Sequence, residues 1–89
     1  MKVNFFATFR QLTLEKSREN LSAPTLDELL EKLCDHYGSK FRKEVFVNGN
    51  LSKDVMILVN GKAIEHLDGI KTQLAENDEV SIFPRIAGG

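Results

Sequence analysis

Residues 24–38, which read PTLDELLEKLCDHYG, largely determine the fold of this chain. The leucines of this stretch recur at the i, i+3, i+4, i+7 spacing of one helix face, and Tyr37 extends the same stripe. Thr25 and Glu28 have the spacing of an N-terminal capping box, and Gly38 suits the position just after a helix. The pattern predicts one amphipathic helix, whose apolar stripe requires a second layer of structure to cover it.

Strand patterns on both sides of this helix supply the second layer. Residues 3–9 and 79–83 alternate between two faces, which is typical of strands with one buried face. Residues 55–64 form an apolar, β-rich run that contains Asn60-Gly61, the dipeptide that best fits the tight turn of a hairpin. A further strand is predicted around residues 17–23. The helix can therefore pack on a sheet.

The predicted element order is β-β-α-β-β-β, and the predicted fold class is α+β. The simplest two-layer arrangement lays the helix across one face of a mixed sheet of about five strands. We expect residues 39–54 to form an irregular loop, and we expect sheet pairing to end at Pro84, which has no N–H to donate. The chain then divides into a domain, residues 1–83, and a flexible C-terminal tail, residues 84–89.

A single helix leaves the other face of the sheet open, and strand alternation predicts which side chains lie there. The helix-facing residues of the first strand would be Val3, Phe5, Ala7 and Phe9. If the helix covers the face of each strand that has more apolar side chains, then Phe6, Leu58 and Phe83 lie on the open face. Three bulky apolar side chains on one face favour a docking patch for a partner protein. Arg10 and Arg85 are expected to flank this patch and to attract an acidic partner.

The composition argues against several classes of partner. The net charge of −1 provides no basic excess for binding nucleic acid. No apolar run approaches the length of about 20 residues that a membrane span needs. One cysteine cannot form an internal disulfide. These features predict a cytoplasmic protein that binds neither nucleic acid nor membranes.

The chain also lacks the sequence motifs that would give it catalytic machinery of its own. Phosphate-loop, nucleophile-elbow and zinc-protease motifs are absent from the sequence. His36 and His66 do not have metal-ligand spacing to each other or to Cys34, so we predict no metal site. Cys34 is expected at the edge of the core rather than as a reactive thiol.

The sequence FPRIAGG at residues 83–89 is the feature that points to a function. Glycine is entropically costly to order, but a terminus without side chains can enter a channel that is too narrow for any Cβ atom. The reactive group of such a tail is the α-carboxylate of Gly89, with Gly88 as its steric companion. We therefore expect another enzyme to act on Gly89. The other tail residues expected to contact that partner are Pro84, Arg85 and Ile86.

This tail resembles the C-terminal signature of the MoaD family of ubiquitin-like sulfur carriers. In that signature an acidic turn and an apolar strand, here residues 78–83, precede Phe-Pro and a terminal Gly-Gly. Residues 5–12 (FFATFRQL) and 59–61 (VNG) also match that family. The resemblance covers almost the whole chain and implies a β-grasp fold, in agreement with the element order.

The resemblance also implies a mechanism centred on Gly89. A ubiquitin-activating-type enzyme adenylates the Gly89 carboxylate, and a sulfur donor converts the adenylate into a thiocarboxylate. The large subunit of molybdopterin synthase then receives the tail, and the sulfur is transferred to a pterin precursor in molybdenum cofactor biosynthesis. ATP and Mg²⁺ belong to the activating partner, so no cofactor is expected on this chain, which would be the small carrier subunit.

A second function stays open, that of a protein modifier. Arg85 stands where family members usually have a second proline, and residues 39–54 are longer than in the shortest carriers. The arginine resembles the arginine-containing tails of ubiquitin-like modifiers, and the longer loop resembles the archaeal small modifier proteins, which join Gly-Gly to lysine amines of target proteins through isopeptide bonds. A thiazole-synthesis carrier fits less well because that branch typically lacks the Phe-Pro pair. A plain interaction domain leaves Gly88-Gly89 unexplained. Carrier and modifier begin with the same adenylate, so both roles can coexist.

Overall fold

The computed structural model describes residues 1–85 of the chain. In this range the helices are α1 (Thr8–Thr13), α2 (Leu26–Tyr37) and α3 (Ser39–Val45). The strands are β1 (Lys2–Phe5), β2 (Ser17–Arg18), β3 (Phe46–Val47), β4 (Asn50–Leu51), β5 (Val55–Val59), β6 (Lys62–Ala63) and β7 (Glu79–Pro84). Two 3-10 helices, Ile64–His66 and Gly69–Lys71, lie between β6 and β7. Among these described elements, no helix has the length and apolar character to cross a membrane.

Five strands form one mixed sheet in the order β2-β1-β7-β5-β6. The central strand β7 runs parallel to β1, with Phe5 opposite Ile82, and antiparallel to β5, with Ile57 opposite Ile82. β3 and β4 form a separate two-stranded hairpin. With α2 packed on the five-stranded sheet, the domain has the β-grasp fold. The predicted α+β architecture is confirmed.

The hydrophobic core lies between α2 and the sheet. The buried residues of α2 are Leu26, Leu29, Leu30, Leu33 and Cys34. The buried residues of the three central strands are Val3, Phe5, Val55, Ile57, Val59, Val80 and Ile82. Tyr37 at the end of the leucine stripe stays half-buried, and its ring meets the Phe5 ring edge-on at 5.6 Å between centroids. The predicted helix face is therefore the one that the sheet covers.

The hairpin predicted from Asn60-Gly61 is present between β5 and β6. Both turn residues have positive φ, 52° and 82°, which this turn requires and which asparagine and glycine tolerate. The Asn60 side chain also bridges the turn to the start of β7. Its Nδ2 donates to Asp78 Oδ1 at 2.9 Å, and its Oδ1 accepts the N–H of Glu79 at 2.9 Å. These bonds connect the hairpin to the central strand.

The first predicted strand is too long. β1 ends at Phe5, Ala7 is exposed with a positive φ of 52°, and α1 begins at Thr8. Phe9 is buried, but it projects from α1 and not from a strand. Phe5 and Phe9 are four residues apart, and a helical turn can bring such residues to one side as readily as strand alternation does. The prediction that Ala7 shares the buried face is wrong.

The second predicted strand is also shorter than expected. β2 covers Ser17–Arg18, where residues 17–23 were predicted to form a strand. Beyond Arg18 the segment still follows β1, because the N–H of Leu21 donates to the carbonyl of Met1 at 3.3 Å. That bond lies outside any described strand, so the charged residues of this region do not support a full ladder.

Residues 39–54 are not an irregular loop, because they contain α3 and the β3-β4 hairpin. In α3 the apolar residues Phe41 and Val45 are one helical turn apart and both are buried. The hairpin turns at Asn48-Gly49, whose φ angles of 53° and 80° are both positive. Two apolar positions among charged neighbours give too weak a period to predict this helix from the sequence.

The start of α2 is stabilised differently from the predicted capping box. Thr25 is the N-cap, but its side chain donates to the carboxylate of Asp27 and not to the helix backbone. Asp27 Oδ1 accepts the N–H of Glu28 at 2.9 Å, and Lys71 Nζ lies 2.7 Å from Asp27 Oδ2. Hydrogen bonds from Lys71 and Thr25 lower the pKa of Asp27 to about 2. Asp27 therefore caps the start of α2 in place of the predicted Thr25–Glu28 capping box.

Candidate functional site

The sheet face opposite α2 carries four half-buried apolar side chains, which we call the open-face cluster: Phe6, Met56, Leu58 and Phe83. Alternation along β7 explains its position, because Ile82 is fully buried beneath α2 and the next residue points to the other face. The structure therefore places Phe6, Leu58 and Phe83 on the face where the sequence predicts them.

Phe6 and Phe83 form the centre of the open-face cluster. Their rings stack at 4.2 Å between centroids, with 6° between the ring planes. Phe6 directly follows β1, and its N–H donates to the carbonyl of Ile82 at 3.2 Å, which holds it beside β7. The parallel pairing of β1 and β7 thus brings together two rings from opposite ends of the sequence.

β5 supplies the other half of the cluster. In the antiparallel register Met56 lies opposite Phe83, and Leu58 lies opposite Ser81. Leu58 is therefore a diagonal neighbour of Phe83, at a spacing where long side chains still interact. Sequence reasoning does not select Met56 as a site residue, although alternation places it on the same face as Leu58. Its position beside Phe83 follows only from the register.

Arg10 borders the cluster on the side of α1. Its guanidinium lies over the Phe6 ring, 5.3 Å from the centroid, and its Nε donates to the carbonyl of Phe5 at 2.8 Å. A cation above an aromatic face is attracted by the ring quadrupole. The edge of the open-face cluster therefore carries a positioned positive charge, which favours an acidic partner.

The root of the tail is paired with the sheet beyond its predicted end. Pro84 lies opposite Val55, and the N–H of Arg85 donates to the carbonyl of Asp54 at 2.6 Å. The prediction that pairing ends at Pro84 is therefore wrong. Successive residues of a strand direct their N–H groups to opposite sides, so the missing N–H of Pro84 falls on the side of β1, which has already ended at Phe5.

The side chain of Arg85, expected beside the cluster, is engaged by Glu65. The two groups form an ion pair of 2.8 Å between Arg85 Nη2 and Glu65 Oε2. A hydrogen bond from its own backbone and the hydrogen bond from Arg85 lower the pKa of Glu65. An open groove of about 420 Å³ adjoins this pair. Its apolar lining consists mainly of Leu51, Val55, Ile64 and Ile70.

Three predicted site residues, Ile86, Gly88 and Gly89, lie outside the residues that the structure describes. The chemistry expected at the Gly89 carboxylate therefore stays a prediction. The described chain reaches Arg85, so the start of the predicted tail is defined.

The single cysteine belongs to the core. Cys34 is buried on α2, and burial raises the pKa of its thiol to about 11. The thiolate that would act as a nucleophile is therefore scarce near neutral pH. His36 Nε2 lies 2.6 Å from Arg18 Nη1, so this ring is engaged in a surface contact. Within residues 1–85, no group of three or more His, Cys, Asp or Glu side chains is arranged to hold a metal ion.

Comparison with known proteins extends the likeness over the whole chain. The model of the ThiS family matches residues 3–89. Small archaeal modifier protein 3 of Haloferax volcanii is 36% identical over 92 residues, which covers 100% of this chain and 98% of that protein. A protein of Archaeoglobus fulgidus, named as a candidate sulfur carrier, is 35% identical with the same coverage of both chains.

A solved structure agrees with the sequence relatives. The solution structure of small archaeal modifier protein 1 from Methanosarcina acetivorans is 32% identical and has a TM-score of 0.89. The match covers 99% of this chain and 94% of that chain. Fold and sequence therefore lead to the same group of proteins.

Proposed function

Because the chain belongs to the ThiS family of ubiquitin-like domains, we propose that it is a sulfur carrier whose reactive group is the carboxylate of Gly89. One observation supports this proposal most directly. The stacked rings of Phe6 and Phe83 present an apolar surface two residues before Arg85, next to the start of the tail. A partner that covers the open-face cluster would also hold the tail.

The proposed chemistry takes place on Gly89 in the active site of a partner. A carboxylate is a poor electrophile, so one of its oxygens first attacks the α-phosphorus of ATP and displaces pyrophosphate. A sulfur donor that delivers hydrosulfide then attacks the acyl carbon and displaces AMP, and loss of the sulfur-bound proton leaves a thiocarboxylate. In this proposal ATP, Mg²⁺ and the catalytic residues belong to an adenylating enzyme of the ubiquitin-activating type.

Docking through the folded surface has an energetic reason. A partner that bound only the tail would have to offset the entropy of ordering it. The open-face cluster is already ordered, because Phe6 and Phe83 are stacked and backbone hydrogen bonds hold both strands. Arg10 adds a positive charge at the rim, where charge complementarity mainly raises the rate of association.

The proposed acceptor of the sulfur is a pterin precursor bound by the large subunit of a molybdopterin-synthase-like enzyme. Phe83-Pro84 followed by Gly88-Gly89 supports this acceptor, because the same order of residues marks the MoaD carriers that the sequence resembles. The present chain would be the small subunit of that complex.

Protein modification is a second candidate function, and the names of two similar proteins support it. Small archaeal modifier proteins are found both among the sequence relatives and among the solved structures. In this function a lysine amine of a target protein attacks the acyl carbon of the Gly89 adenylate. AMP leaves, the amine loses a proton, and an isopeptide bond forms. Both functions use the same activation step and the same docking surface.

The fate of the tail in its native cell distinguishes the two functions. Intact mass spectrometry of the purified protein reports a carrier by a mass gain equal to sulfur replacing one oxygen. An immunoblot of the same lysate reports a modifier by a ladder of high-mass conjugates that reducing agents do not cleave. Both signals together would indicate that the two roles coexist. A chain with neither signal, from cells that express it well, contradicts the proposal.

The role of Gly89 has its own test. A variant with one alanine appended after Gly89 should lose adenylation completely, measured as ATP–pyrophosphate exchange with the adenylating enzyme, while its melting temperature stays that of the wild type. Gly88→Val is expected to impair adenylation without loss of stability, because a Cβ branch blocks entry into a narrow channel. Full exchange by the extended variant would show that another group is activated.

A further inference from the structure

We propose that Glu65 is a positioning residue for the reaction at Gly89, because it holds Arg85 at the root of the tail. This inference rests on the proposed function and adds to it a residue outside both the open-face cluster and the tail. Glu65 acts through Arg85 and does not touch the reacting atoms, so its effect is on where the tail starts.

Two contacts hold Arg85 at the end of the central strand β7. Its N–H donates to the carbonyl of Asp54 at 2.6 Å, and its guanidinium pairs with Glu65 at 2.8 Å. The preceding residue, Pro84, lies opposite Val55 and has no N–H to add a bond of its own. The side chain of Glu65 is therefore the second of two restraints on the last described residue.

Glu65 is itself held by the core. It lies on the 3-10 helix Ile64–His66, and the neighbouring Ile64 is 3% exposed. The N–H of Leu67 donates to the carbonyl of Ile64 at 2.9 Å, which closes that turn. The carboxylate of Glu65 is charged at neutral pH, and hydrogen bonds from its own backbone and from Arg85 lower its pKa further. The ion pair therefore connects a core-anchored turn to the tail root.

The position of the root matters because the remaining tail is short. Four residues follow Arg85 in the sequence, and four residues span at most about 14 Å when fully extended. While Arg85 is fixed, the Gly89 carboxylate can lie no farther than about 14 Å from it. If Arg85 detaches from the sheet, the accessible volume grows, and the effective concentration of the carboxylate at the active site falls.

The expected effect is modest because the ion pair is exposed. The side chains of Arg85 and Glu65 are 46% and 57% exposed, and pairs of this kind contribute little in water. The bond between the Arg85 N–H and Asp54 also remains when Glu65 is changed. We expect Glu65→Gln to lower kcat for adenylation about twofold to fivefold. KM should not change, because the docking surface is intact.

The test measures ATP–pyrophosphate exchange with the adenylating enzyme of the same organism, for the wild type, Glu65→Gln and the matched control Glu76→Gln. Glu76 is exposed and precedes β7, so the control removes the same charge from the far end of that strand. Only Glu65→Gln should lower kcat. It should also speed hydrogen exchange of the Arg85 amide, since the root opens more often.

A double variant decides whether Glu65 acts through Arg85. Arg85→Gln should lower kcat as Glu65→Gln does. The kcat of the double variant should be no lower than that of Arg85→Gln alone. Unchanged kcat and unchanged Arg85 exchange in Glu65→Gln, or fully additive losses in the double variant, would overturn the inference. If the wild-type chain supports no ATP–pyrophosphate exchange, both the proposed function and this inference are overturned. If the wild type supports normal ATP–pyrophosphate exchange and Glu65→Gln changes nothing, only this inference is overturned.

Discussion

Ile82 and Phe83 are neighbours in β7, yet their surroundings differ completely. Ile82 is fully buried between α2 and the flanking strands, opposite Phe5 on one side and Ile57 on the other. Phe83 is half-buried on the opposite face, where its ring stacks on Phe6. The two faces of one sheet therefore perform different tasks, since one stabilises the domain and the other offers a surface.

The difference indicates how a partner could recognise this domain through one face of its sheet. A core residue gains its free energy from burial within the chain, so its contribution is fully used in the isolated domain. A half-buried ring keeps part of its apolar area in water, and that area is still available to stabilise a complex. The side chains of the open-face cluster are incompletely buried and therefore keep apolar area available for a partner.

The largest effect is expected on the covered face. Ile82→Ala should lower the free energy of unfolding by about 2–5 kcal/mol, because it leaves a cavity in a close-packed core. Ser81→Ala, its neighbour on the open face, should change stability by less than about 0.5 kcal/mol. Urea denaturation of both variants measures the contrast. Equal losses would show that the two faces do not differ as described.

A smaller effect is expected at Cys34, which tests whether the covered side takes part in the chemistry. Cys34→Ala removes a buried thiol and should cost about 1 kcal/mol of stability. Thiocarboxylate formation should be unchanged, because the raised thiol pKa of about 11 keeps the nucleophilic thiolate scarce. Mass spectrometry of the modified tail measures this. Loss of thiocarboxylate in a folded variant would identify Cys34 as a relay thiol.

The smallest effect concerns pH and the start of α2. The pKa of Asp27 is lowered to about 2 in the folded state, so its contribution to stability is present above the unfolded pKa of about 3.9. That contribution is lost as pH falls from about 4 to 2. Asp27→Asn should therefore flatten the pH dependence of the melting temperature in that window. An identical acid profile in both proteins would show that Lys71 and Thr25 do not stabilise the charged carboxylate.

Much of the fold follows from the sequence because its strongest patterns are local. The leucine stripe of α2, the Asn60-Gly61 turn and the alternation of β7 each depend on short-range spacing, and the structure contains all three. The same rule failed at Phe9, where strand and helix spacing coincide. It failed again in α3, where only Phe41 and Val45 mark the buried face.

The candidate site divides in the same way. Alternation is sufficient to place Phe6, Leu58 and Phe83 on one face, because that requires only the parity of each strand. Pairing partners depend on the register between distant strands, so the Phe6–Phe83 stack and the position of Met56 opposite Phe83 were not predictable. The contact between Arg85 and Glu65 is likewise tertiary and has no local signal.

The most direct test of the central claim is the affinity of Phe83→Ala for the adenylating enzyme, measured by calorimetry beside its thermal stability. Phe6→Ala serves as a second variant, and Val47→Ala is the matched control, because Val47 is an exposed apolar residue on β3. Both phenylalanine variants should bind more than about tenfold more weakly, with a stability loss of at most about 2 kcal/mol. The control should bind as the wild type does. Unchanged affinity in folded Phe83→Ala and Phe6→Ala would show that the open-face cluster is not the docking surface.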